Sequence, residues 1–180
     1  MVAACRVSPV PPLRAAGTTY VELVRNTPLT VLFILFFFGI PKLGIVYSPV
    51  VSAVIVLSLY TGAFMGETIR AGINTVSAGQ SDAARAVGLT FVQVLVLIVL
   101  PQALRTVVAP LGNLFIALTK NTSVASVISV AELTRISDNL VTDTARPIAV
   151  LLGAAVAYLI LTLPSGALFA FIERRVAVKR

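Results

Sequence analysis

The side chains of this protein that could do work fall into two groups. The first is Asp82-Ala83-Ala84-Arg85 with Gly88, followed after nine residues by Ile98, Leu100 and Pro101. Ser81 is placed as an N-cap, with Asp82 in the first turn, where the helix dipole favours an anion. Ala83, Ala84 and Ala86 keep that helix narrow. Asp82 and Arg85 are spaced to pair on one face. Gly88 is placed to end the helix in the left-handed conformation. A second helical stretch then leads to Leu100-Pro101. The work open to such a segment is mechanical: small side chains admit another surface closely, and a helix lying across the ends of two spans passes force to them. The plainer reading is a surface helix that only connects.

The second group is Thr106, Pro110, Asn113, Ala117 and Lys120, which recur at helical steps and form one small, polar stripe. Val107, Leu111, Leu114 and Leu118 form an apolar stripe beside it. Asn113 suits either an interhelical hydrogen bond, worth about 0.6–2 kcal/mol in a membrane, or the lining of a transport path. Lys120 suits either attraction of an anionic amino acid or an interfacial, snorkelling position. Asn121, Thr122 and Ser123 offer amide and hydroxyl groups where an outer gate is expected.

Much other chemistry is closed. Histidine is absent and Cys5 is the one cysteine. That removes a Cys/His zinc site, a Ser-His-Asp triad and an internal disulfide. No G-x-x-x-x-G-K-[ST] string occurs, so an energy source must come from a partner or a gradient. Val2-Ala3-Ala4-Cys5 lacks the preceding apolar run that a lipoprotein cleavage box needs.

The elements that must position both groups are membrane spans. Of 180 residues, 58% are hydrophobic and 12% charged. A soluble domain carries about 25% charged residues, so this chain reads as an integral membrane protein. Its formal charge of +7 then reads as topology charge and not as a nucleic-acid surface. Spans of about 20 residues fit 20–40, 49–66, 95–118 and 148–171. Arg25 lies near the start of the first, and Pro28 suits a first helical turn. Gly153 and Ala157 on the fourth allow close helix packing. Glu67 and Arg70 are spaced for a local ion pair. Arg6, Arg14, Arg25, Arg70, Arg85, Arg105, Arg174, Arg175, Lys179 and Arg180 fall on one side of the four spans. Lys42, Lys120, Arg135 and Arg146 fall on the other, so the termini and loop 68–94 are expected in the cytoplasm.

The pattern Asp82-Ala83-Ala84, Gly88, Ile98, Leu100, Pro101 resembles the E-A-A-x-x-x-G…I-x-L-P motif of permeases in binding-protein-dependent ABC importers. Asp replaces the family Glu. Arg25-Asn26-Thr27-Pro28-Leu29, Gly79-Gln80 and Pro101-Gln102-Ala103-Leu104-Arg105 resemble the polar amino acid branch. Ala117 to Ile128 (ALTKNTSVASVI), Arg6-Val7-Ser8-Pro9-Val10, Ile160 to Pro164 and Glu173 to Lys179 are similar to actinobacterial glutamate permeases.

That resemblance implies an all-α type I importer transmembrane domain in the bacterial cytoplasmic membrane, with four spans here and five in the family. Met1–Cys5 looks like the end of the other span. It divides the chain into an N-terminal segment 1–19, a transmembrane domain 20–172 with coupling loop 68–94, and a basic tail 173–180. It implies that Asp82, Ala83, Ala84, Arg85, Gly88 and Pro101 couple to an ATP-binding subunit. ATP and Mg would bind that partner, and this chain would hold no cofactor or metal and catalyse nothing itself. A second permease, identical or different, and an extracellular binding protein complete the assembly, with an amino acid as substrate. Thr106, Asn113, Lys120, Asn121, Thr122 and Ser123 are the candidates for path or gate. The alternatives are a stand-alone secondary transporter or channel, which usually carries ionisable groups at mid-span, and an intramembrane enzyme, for which catalytic groups are lacking.

Overall fold

The computed structural model describes residues 2–6, 8 and 10–176. The helices are α1 (Val2–Arg6), α2 (Pro11–Asn26), α3 (Leu29–Ile34), α4 (Pro49–Asn74), α5 (Ala78–Ala86), α6 (Phe91–Val94), α7 (Leu100–Asn121), α8 (Leu133–Thr144) and α9 (Pro147–Val176). Residues Leu35–Gly39 and Leu95–Val99 are π-helical, and Ile40–Leu43 and Thr122–Ile128 are 3-10 helical. No strand occurs among the described residues. Met1, Val7, Pro9 and residues 177–180, which entered the sequence reading, lie outside them.

The first span is not the single helix expected over 20–40. Pro11–Asn26 and Leu29–Leu43 meet at 108°. Pro28 is the cause. It forces the residue before it out of the helical region, and Thr27 is extended at φ −101°, ψ 130°. Pro28 therefore caps α3 from outside its first turn. Arg25 lies in the last turn of α2, with its guanidinium 5.3 Å from the centroid of the Phe64 ring.

The other spans are longer than expected. α4 begins where Ser48 accepts from the Val51 N–H at 3.3 Å and runs on to Asn74. The third span extends over Phe91–Ile128, so 119–128, expected in an outer loop, is helix. α9 reaches Val176. The expected boundaries at 19/20 and 172/173 thus fall inside α2 and α9.

Lipid tails are as apolar as leucine, so membrane helices adhere through close packing and not through exclusion of water. Glycines provide the close approaches. Gly72 of α4 lies directly against Val107 of α7. A Cβ on Gly112 would stand 2.6 Å from the Phe169 ring of α9. Gly66 receives Val2 in the same way. The expected Gly153–Ala157 pair makes no such approach among the described residues, where a Cβ on Gly153 would meet nothing within 4 Å. A separate apolar cluster of Leu29, Phe33, Ala53, Val56, Ala125 and Ile128 joins α3, α4 and the 3-10 segment.

Candidate coupling and translocation site

α5 starts earlier than the sequence pattern suggests. Thr75 closes α4, and its N–H and hydroxyl both donate to the Gly72 carbonyl. Ser77 is then extended at ψ 140°, and Ala78-Gly79-Gln80 form the first turn. Ser81 is therefore not the N-cap, and Asp82 sits in the second turn. The dipole argument for Asp82 lapses there, since that field fades beyond the first turn. The spacing of Asp82 and Arg85 does not produce an ion pair. Both are exposed and line one small cavity with Ser81, Phe91, Val94, Leu95 and Val99.

The other end of α5 forms as expected. Gly88 is left-handed at φ +91°. The Leu89 N–H donates to Ala84 O at 3.1 Å and the Gly88 N–H to Arg85 O at 3.0 Å. Those two bonds are the Schellman pair that satisfies the last carbonyls. Ala84 alone on α5 is buried. Ala83 and Ala86 are exposed, and Val87 at the tip is 80% exposed. The helix thus presents a narrow outer face with one apolar point.

Two contacts tie this loop to the third span. The Gln102 side chain donates to Gln80 at 2.7 Å. Thr90 and Gln93 form a reciprocal capping box that starts α6. Thr90-x-x-Gln93 was legible as a capping signal and is the feature that sequence reasoning missed. Pro101 stands in the first turn of α7.

The small-and-polar stripe is real but does not face one neighbour. Thr106, Pro110, Asn113 and Lys120 are exposed. Thr106 and Pro110 line a cavity against Thr68, Gly72 and Thr75 of α4. The Thr75 and Thr106 hydroxyls are 3.4 Å apart. Asn113 instead lines a cavity against Gly166, Phe169 and Glu173 of α9. Asn121 returns to α4, lining a cavity of about 130 Å³ with Tyr60, Thr61 and Phe64. Within that cavity wall, Leu114 and Leu118 of the apolar stripe supply the greasy side.

Tyr60 and Thr61 lie near the middle of the 26-residue α4. Asn121 sits beside that middle. Thr122 and Ser123 donate to the carbonyls of Thr119 and Lys120, each at 2.7 Å. Their hydroxyls keep only acceptor capacity for another group. Lys120 makes no ion pair among the described residues.

Glu67 and Arg70 do pair, at 2.5 Å, within a wider cluster. Arg6 of α1 pairs with the same Glu67 and lies 3.5 Å from Glu22 of α2. The network therefore clasps three helices near the α5 end of α4.

A helical bundle with apolar spans and an exposed short helix between two of them defines a multi-pass membrane protein. The model of the family described as binding-protein-dependent transport system inner membrane component matches residues 1–178, and the chain belongs to that family. The glutamate transport system permease protein GluC of Corynebacterium efficiens is 41% identical over 193 residues, covering 100% of this chain and 85% of the relative. The probable glutamine ABC transporter permease protein GlnM of Bacillus subtilis is 39% identical, covering 97% and 81%. Among solved structures, an amino acid ABC transporter with histidines superposes with a TM-score of 0.91 at 33% identity, covering 97% of this chain and 81% of that one. The MetNI methionine ABC transporter superposes with a TM-score of 0.78 at 19% identity and shares the fold. The chain is accordingly a permease of the amino acid ABC importers, a multi-pass protein of the cytoplasmic membrane.

Proposed function

We propose that this permease passes glutamate into the cell, driven by ATP hydrolysis in a partner that receives α5. The single observation that carries the mechanical part is the Schellman-terminated, alanine-faced helix joined to α7 through Gln80 and Gln102. The substrate reading is supported by relatives named for glutamate that align along the whole chain. In this reading Asp82, Ala83, Ala84, Arg85 and Gly88 form the docking face, and Pro101 begins the helix that carries the response. ATP and Mg reside in the ATP-binding subunit. Thr106, Asn113 and Lys120 line the path against a second permease, with Asn121, Thr122 and Ser123 around its middle. An extracellular binding protein delivers the substrate. The exposed ammonium of Lys120 supplies attraction for a carboxylate near mid-span, where an unpaired charge marks a functional position. A secondary transporter would need a free acid at that depth. Glu67, the acid within α4, is instead held by Arg6 and Arg70.

Reconstitution in liposomes with the ATPase, the second permease and the binding protein tests this. Labelled glutamate should accumulate only with ATP inside, and excess glutamine or cystine should compete weakly. Gly88→Val should insert normally but abolish binding-protein-stimulated hydrolysis, because a β-branched residue resists φ +91°. Unaltered transport by that variant would mean that α5 is a connector. Stronger competition by glutamine would move the substrate assignment.

A further inference from the structure

We propose that the π-helical turn Leu95–Val99 is the joint that converts movement of α5 into rotation of the polar stripe on α7. The inference rests on the reading that α5 seats on an ATPase.

The turn has a local cause. In an α-helix the N–H of residue 101 would donate to Leu97 O. Pro101 has no N–H, and its ring crowds that carbonyl. The ladder relieves this by slipping one residue, and the Leu100 N–H donates to Leu95 O. The same relation recurs where the π turn Leu35–Gly39 ends just before Pro41. Single π turns inside α-helices gather at functional positions.

Its place in the fold makes the slip consequential. On one side, Leu95 and Val99 share a cavity with Asp82 and Arg85 of α5. On the other side, Leu100 starts the helix that carries Thr106, Asn113 and Lys120. Val96 is 51% exposed and Leu97 63% exposed, so few contacts within the chain hold the turn in its present form. Passing between π and α hydrogen bonding shifts the register by one residue. That turns the following helix by roughly 100° relative to the preceding one and moves it by about 1.5 Å. Displacement of α5 would thereby turn the stripe as far as the seats of α7 on Gly72 and Phe169 allow, while α6 stays fixed by its capping box.

The test uses the complete reconstituted complex on a Cys5→Ser background. Spin labels at Val92→Cys and Leu104→Cys, exposed at 64% and 60%, bracket the turn. Their separation should change by several ångströms between nucleotide-free and ATP-trapped states. A second pair, Leu104→Cys with Phe115→Cys, lies within α7 and should hold its distance. Pro101→Ala restores the missing donor. It should insert and bind the ATPase, freeze the first distance, and cut uptake by about tenfold or more, within the usual range of coupling between sites. ATP-driven uptake with an unchanged Val92–Leu104 distance overturns the joint alone. So does a change confined to the second pair, which would move the hinge to Pro110. Full transport by Pro101→Ala overturns it as well. Uptake that needs no ATP overturns the importer reading and the joint together.

Discussion

Gln80 and Gln102 stand 22 positions apart in the chain, yet their side chains meet at 2.7 Å. One belongs to the first turn of α5 and the other to the first turn of α7. Both line one groove with Ala83, Ala84, Val87, Leu89 and Ile98. Their bond is a direct polar link between α5 and α7.

Removing either partner should loosen that link. An exposed amide pair contributes about 0.5–1.5 kcal/mol, so Gln80→Ala and Gln102→Ala should each reduce stimulated ATP hydrolysis severalfold without affecting insertion. The double variant should be little worse than either single one, because both remove the same bond. Fully additive losses, measured as stimulated hydrolysis in proteoliposomes, would show that the two amides act separately.

Gly72 and Gly153 should respond in opposite ways to an added methyl. At Gly72 the new Cβ would strike Val107 and approach the Ala103 carbonyl at 3.3 Å. Gly72→Ala must therefore push α4 and α7 apart, at a cost of about 1–3 kcal/mol for overpacking. Gly153→Ala fills open space. Thermal unfolding of the isolated permease in detergent should drop clearly for the first and stay level for the second. Equal midpoints would contradict the close α4–α7 approach.

Glu67 holds together Arg6, whose side chain is only 12% exposed, and Arg70. Glu67→Gln takes the shared carboxylate from both guanidinium groups and leaves Arg6 with Glu22 at 3.5 Å. The expected loss is about 1–3 kcal/mol, below the figure for a fully buried pair because Glu67 keeps some solvent contact. Glu67→Asp should recover part of it. The comparison to make is detergent unfolding at low and high salt. A loss that vanishes at modest salt would place the cluster in solvent and not between helices.

The family and the importer fold were legible in the residues alone, and so was the helix end at Gly88. Gly88 illustrates why. Its role is local, since the helix must stop within one residue of it and glycine tolerates φ +91°. The ion pair of Glu67 with Arg70 was readable for the same reason, because three residues along a helix face each other whatever surrounds them. The wider arrangement followed different rules. Arg6 and Glu22 join that pair from other helices, and no spacing along the chain announces them. Asp82 looked like a first-turn acid until the end of α4 at Thr75 drew Ala78-Gly79-Gln80 into the helix. Gly153 and Gly72 are the same residue type on apolar spans, yet only Gly72 meets a neighbour, because α7 crosses α4 there. Periodicity placed Thr106, Asn113 and Lys120 on one side of α7. Whether each side chain met α4, α9 or open space depended on how three helices cross, and crossing is decided by packing among residues far apart in the chain.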